Sequence, residues 1–202
     1  MYQIDQKFKS FSLETYDPNK EEIVKISTDD FSGKWMVLFF YPADFTFVCP
    51  TELLDLNKHF EEFSAIGGSA SGGKKCEIVV VSTDSVYTHK AWIEMEELLK
   101  GFKYHMAADH NAKLSRELGI YDEEKGMAQR AVFIIDPDGI LRSCEIVADA
   151  IARNASEILR KIKALDFVRN NPGKVCPVNW DEGGVILEPS IKKAGKVYKE
   201  WK

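Results

Sequence analysis

Trp35-Met36-Val37-Leu38-Phe39-Phe40-Tyr41 is the stretch on which the fold turns. No polar side chain interrupts it, and it is far shorter than the roughly 20 residues a membrane span requires. A short, continuous apolar run reads as a strand covered on both faces rather than a half-exposed one. Residues 77–82 repeat the pattern as Glu-Ile-Val-Val-Val-Ser. Between the two, Leu53, Leu56, Phe60 and Phe63 recur at helical spacing, which predicts one helix from residue 50 to about 66 and completes a βαβ unit.

The same alternation continues outward. A helix is expected over residues 86–100, with Trp92, Met95 and Leu99 on its buried face, then a short strand at 104–107 and a weaker helix at 111–118. Residues 130–136 and 140–147 read as an antiparallel hairpin, because Asp136-Pro137-Asp138-Gly139 supplies a preset φ at proline and a left-handed position at glycine. Ala155, Ile158, Ile162 and Leu165 mark a last helix over 154–170, stopped by Pro172-Gly173. Residues 171–202 are rich in proline and glycine and read as an extended arm that needs another surface to dock on. Strands and helices in this order predict an α/β, three-layer domain with a central mixed sheet flanked by helices.

Composition excludes several classes of function. The 202 residues are 45% hydrophobic and 29% charged, which excludes a disordered chain. Lys+Arg 27 against Asp+Glu 32 leaves a net charge of -5 with no basic block, so no nucleic-acid partner is expected. No membrane partner is expected either. The first residues contain an acid and no apolar stretch, so the cytosol is the expected location. A glycine-rich run, residues 67–75, approaches a phosphate-binding loop, but Lys75 replaces the hydroxyl and a strand follows instead of a helix. It reads as a flexible surface loop.

Four cysteines occur, Cys49, Cys76, Cys144 and Cys176, with no C-x-x-C spacing and no nearby histidine pair. Neither a zinc site nor a disulfide framework fits, and no metal or cofactor is expected. Cys76 and Cys144 read as packing residues, and His59, His89, His105 and His110 as surface or satisfied polar groups. Cys49 differs, because Pro50-Thr51-Glu52 opens a helix directly behind it. Unpaired N–H groups and the positive end of the helix dipole stabilise a thiolate there. The effect matters: a thiol of pKa ~8.5 is about 3% ionised at pH 7, one of pKa ~6 about 90%. Arg130, opening a later strand, is a candidate cation for this sulfur, and Arg153 a weaker second one.

Pro42-Ala43-Asp44-Phe45-Thr46-Phe47-Val48-Cys49, Thr88-His89-Lys90-Ala91-Trp92 and Gly173-Lys174-Val175-Cys176-Pro177-Val178-Asn179-Trp180 together resemble the typical two-cysteine peroxiredoxins of the bacterial alkyl hydroperoxide reductase type. The resemblance implies a thioredoxin-like fold with a peroxidase domain over 1–170 and an arm over 171–202. It implies Cys49 as the peroxide-attacking thiolate, Thr46 as a hydroxyl bonded to thiolate and peroxide, and Pro42 as a shield from solvent. Arg130 would stabilise developing charge, Glu52 would orient it, and Cys176 of a second subunit would resolve the oxidised sulfur as a disulfide. Hydroperoxides would be the substrates, with a flavoprotein disulfide reductase or a thioredoxin as external dithiol donor. Homodimers would assemble into a decamer, with Phe45 and Phe47 near the contact between dimers. Members prone to overoxidation carry a G-G-L-G loop and a C-terminal Y-F; this chain reads Glu96-Glu97-Leu98-Leu99-Lys100-Gly101-Phe102 and Tyr198-Lys199, so resistance is expected. A C-x-x-C disulfide reductase lacks its second cysteine here, and a non-enzymatic oligomeric scaffold would need large exposed apolar patches.

Overall fold

A computed structural model describes residues 3–67 and 76–201. Residues 68–75, where the surface loop is expected, lie outside the described residues. The chain forms two compact units, Met1–Ala155 and Ser156–Lys202.

The first unit is built on a mixed sheet. Its strands are β1 (Ser12–Asp17), β2 (Glu22–Ser27), β3 (Met36–Phe40), β4 (Glu77–Ser82), β5 (His105–Ala108), β8 (Arg130–Ile135) and β9 (Leu141–Val147), while β6 (Tyr121–Asp122) and β7 (Met127–Ala128) form a separate ribbon. The order across the main sheet is β2-β1-β5-β4-β3-β8-β9. β3 pairs parallel with β4 and antiparallel with β8, and β4 pairs parallel with β5. Every residue of β3 and β8 is buried. Met36, Leu38 and Phe40 join Val79, Val81, Phe133 and Ile135 in one apolar cluster. Val37 and Phe39, on the opposite face by the period of two, are buried as well. The sheet is therefore covered on both faces, as the continuous apolar runs predict.

The helices of this unit are α1 (Cys49–Lys58), α2 (Phe60–Ala65), α3 (Val86–Met95) and α4 (Lys113–Glu117). The single helix expected over 50–66 is broken at His59. Its ring Nδ1 lies 2.9 Å from Asp55 O, the carbonyl that its backbone N–H would take in a continuing helix, and that N–H turns instead to Leu56 O at 3.1 Å. The helix expected over 86–100 ends at Met95, because Glu96 turns extended and a 3-10 turn follows over Glu97–Leu99. Leu99 is buried by that turn, whereas Met95, expected on the apolar face, is 73% exposed. The hairpin β1–β2 has no counterpart in the expected elements, nor does the ribbon β6–β7. The turn between β8 and β9 matches its reading: Gly139 has φ +73° and donates its N–H to Asp136 O at 2.8 Å.

The second unit consists of most of α5 (Ala155–Asn170) and the segment behind it. The segment is irregular, as its composition predicts, but it does not lack a surface to rest on. Arg160, Ala164 and Phe167 recur at helical spacing along α5. The Trp180 ring lies 4.9 Å from the Phe167 ring and Arg160 Nη1 donates to Trp180 O at 3.3 Å. Val175 and Leu187 exchange two backbone hydrogen bonds of 2.9 and 3.0 Å.

Burial separates two apolar positions that the sequence treats alike. Leu38→Ala, at a site with no exposure, is expected to lower folding stability by about 3 kcal/mol in urea denaturation. Met95→Ala is expected to stay within about 0.5 kcal/mol.

Candidate active site

The site forms where two neighbouring antiparallel strands reverse roles. β3 ends at Phe40 beside Ala131, so the chain leaving β3 toward Cys49 passes Arg130, which opens β8. Cys49 is the first residue of α1 and has no exposed surface. The cap, Val48, is itself in the right-handed helical region with no side-chain bond, and its carbonyl takes the N–H groups of Thr51 and Glu52 at 3.1 and 3.2 Å. Pro50 in the first turn brings no N–H of its own to satisfy.

Three charged side chains close around the sulfur. Arg130 Nη1 donates to Cys49 Sγ at 3.2 Å and to Glu52 Oε2 at 2.8 Å. Glu52 is buried and receives Arg153 as well, through the backbone N–H at 2.7 Å, Nε at 2.9 Å and Nη2 at 3.0 Å. Arg153 Nη1 also donates to Phe40 O and Ala131 O, at 2.7 and 2.8 Å, tying together the end of β3 and the start of β8. Its guanidinium stands 3.6 Å above the Phe39 ring. On the far side, Arg130 Nε donates to Asp149 O at 2.7 Å. Burial opposes the Arg130 charge, but its bonds to Cys49 and Glu52 outweigh that and hold its pKa above the ordinary value. For Arg153 burial prevails over Glu52, and the pKa falls.

The structure thus brings Cys49, Arg130 and Glu52 together as the sequence expects. Pro42 is buried and shares with Arg130 a cleft of about 280 Å³, whose walls include Met127, Ile146 and Asp149. The Thr46 hydroxyl donates to Ala43 O at 2.9 Å, so toward the site it offers lone pairs rather than its proton. Arg153, ranked second by the sequence reading, makes the most bonds to Glu52; a lone arginine ahead of a helix carries no local sign of that role. Asp149, which meets Arg130 through its carbonyl and its carboxylate, likewise carries no local sign of that contact.

All four cysteines are free thiols. Cys176 belongs to the second unit, 3.9 Å from Ala164 O, where burial raises its pKa and the Arg160 charge works against the rise. Cys76 is buried as expected, but Cys144 is exposed on β9, so the packing role expected for it does not hold. β9 is an edge strand whose residues alternate in burial, and Cys144 falls on the open face.

Arg153→Ala would strand part of a buried charge cluster and two strand-end carbonyls, and is expected to cost about 3–5 kcal/mol in urea denaturation. Lys125→Ala, which removes a half-exposed partner 3.4 Å from Asp149, is expected to cost no more than about 1 kcal/mol.

Known proteins share both the sequence and this arrangement of strands and helices. The pattern of the AhpC/TSA family matches residues 4–144. Alkyl hydroperoxide reductase C of Staphylococcus haemolyticus is 42% identical over 194 residues, which cover 96% of this chain and 98% of that protein. The protein of the same name from Staphylococcus aureus is 41% identical with the same coverage. Among solved structures, Enterococcus faecalis AhpC superposes with a TM-score of 0.79 at 44% identity, covering 88% of this chain and 100% of that one. The reduced 2-Cys peroxiredoxin of Plasmodium vivax does so with a TM-score of 0.86 at 29% identity, covering 97% of each. The fold is the thioredoxin-like α/β fold of these structures, and the chain belongs to the AhpC/TSA family.

Proposed function

We propose that this chain reduces hydrogen peroxide and organic hydroperoxides at Cys49, the thiol chemistry that its family membership implies. The observation that carries the assignment to Cys49 is the guanidinium N–H of Arg130 directed at its sulfur from 3.2 Å, beside the buried carboxylate of Glu52. The Cys49 thiolate attacks the distal peroxide oxygen and the O–O bond breaks. Water or an alcohol leaves with a proton, and the sulfur becomes a sulfenic acid. Negative charge spreads over two oxygens in that transition state, so a donor held in place beforehand stabilises it more than the ground state. Arg130 supplies that donor, Glu52 and Arg153 hold it, Thr46 accepts from the peroxide hydroxyl, and Pro42 limits water.

Cys176 of a partner subunit then condenses with the sulfenic acid, forming a disulfide and releasing water. An external dithiol, on a flavoprotein disulfide reductase or a thioredoxin, reduces the disulfide by exchange. We assign the protein to the cytoplasm, a reading supported by its four cysteines being too few and too widely spaced for a disulfide framework. Phe45 and Phe47, 51% and 95% exposed beside Cys49, support assembly of dimers into a decamer through this loop.

Stopped-flow mixing of the reduced protein with one equivalent of hydrogen peroxide is expected to oxidise wild type rapidly and Cys49→Ser no faster than a free thiol. Non-reducing electrophoresis should then show a disulfide-linked dimer that Cys176→Ser abolishes. Equal rates in wild type and Cys49→Ser would move the chemistry elsewhere. During turnover at low peroxide excess, mass spectrometry is expected to find Cys49 free of sulfinate.

A further inference from the structure

The loop that delivers Thr46 and Cys49 is anchored by one buried carboxylate. Asp44 is only 6% exposed. The Tyr41 hydroxyl donates to its Oδ1 at 2.6 Å, and His89 Nδ1 lies 2.7 Å from its Oδ2. Its own N–H donates to Asp84 Oδ2 at 2.9 Å, an oxygen that also takes the Ser82 hydroxyl at 2.7 Å. Tyr41 and His89 have no exposed surface.

A proton count follows from these contacts. His89 Nε2 faces Ala107 O at 3.3 Å, and a carbonyl oxygen can only accept, so Nε2 bears a hydrogen. Nδ1 then either bears a second hydrogen directed at the Asp44 carboxylate or accepts the proton of Asp44 as a carboxylic acid. In both forms one proton lies between Nδ1 and Oδ2. Without it, two lone pairs would face each other at 2.7 Å with no water to separate them. The titratable groups facing His89 and Asp44 are Tyr41 and Asp84. Burial raises the Asp44 pKa against the opposing pull of His89, and holds Tyr41 well above its ordinary value, so Tyr41 remains a donor.

The anchor holds a strained backbone. Phe45, next to Asp44, has φ +55°, a left-handed conformation that a phenylalanine adopts only where its surroundings enforce it. Its ring lies 6.3 Å from Trp92, which in turn lies 5.8 Å from Tyr41. Because Cys49 has no exposed surface, no second thiol can reach its sulfur until this loop or the first turn of α1 opens.

We propose that Tyr41, Asp44 and His89 form a proton-filled latch whose strength sets how long an oxidised Cys49 stays enclosed before Cys176 can reach it. None of the three touches the reacting atoms; they are positioning residues. The kinetic part of the inference rests on the proposed peroxidase reading, whereas the latch itself does not.

After one equivalent of hydrogen peroxide at neutral pH, two rates are read: Cys49 oxidation and disulfide formation. His89→Phe is expected to speed disulfide formation by roughly ten- to a hundredfold, the range for losing one hydrogen bond to a charged group, while oxidation is no faster than in wild type. His89→Asn retains a neutral donor toward Asp44 and is expected to stay within a few fold of wild type. Tyr41→Phe supplies the same comparison should His89→Phe not fold. Disulfide formation that is unchanged or slower in these variants, with Cys49 oxidation intact, overturns the latch. Should wild-type Cys49 fail to react with peroxide, the functional reading falls, and the latch is decided by amide hydrogen exchange of residues 43–48 in the reduced protein. Faster exchange in His89→Phe supports it, and equal protection overturns it.

Discussion

The placement of the Glu52 carboxylate between two arginines is the constraint on which the rest of the site depends. A buried carboxylate is costly to desolvate, and this one is compensated by one hydrogen bond from Arg130 and three from Arg153. Two guanidinium charges against one carboxylate leave one positive charge in the dry interior, and the Cys49 sulfur faces it. Asp149 also meets Arg130, at 3.4 Å, but it is half exposed and water screens its charge. The geometry requires arginine. One Arg130 nitrogen serves Cys49 and Glu52 at once while Nε holds Asp149 O, and a lysine has no rigid fork with which to do this.

The same cluster joins the chemistry to the fold. Arg153 donates to carbonyls on both strands that frame the site, so the positions of Cys49 and Arg130 are fixed by one side chain as well as by the β3–β8 register. A site held this firmly also encloses its own nucleophile. A bond to a second thiol is not compatible with that enclosure. The weaker anchorage therefore has to lie on the loop side, and that is where the strained Phe45 and the Asp44 contacts are found. Cys176 is likewise partly covered, over Ala164, so both sulfurs sit within local structure in the reduced state.

Elements buried on both faces were legible from sequence, because the middle of such a strand is a continuous apolar run with polar residues only at its ends. β3, β4 and β8 fall within a residue or two of their expected bounds, and Gly139 takes the left-handed turn. Edges and helix ends were not. β1 and β2 carry mixed patterns because one face of each meets solvent. The break at His59 depends on a side chain reaching a carbonyl, and Met95 is exposed because Glu96 leaves the helix.

The site divides along the same line. That Cys49 opens a helix, with Pro50 behind it and Glu52 in the first turn, is local information that the sequence by itself determined. The pairing of Cys49 with Arg130, of Glu52 with Arg153, and of Asp44 with His89 was decided only by the tertiary structure. Those partners lie dozens of residues apart, and their meeting depends on which strands pair and in what register: Phe40 opposite Ala131 brings Arg130 to the sulfur. Local periodicity reports which face of a strand is buried, but it carries no record of which distant side chain will share that burial.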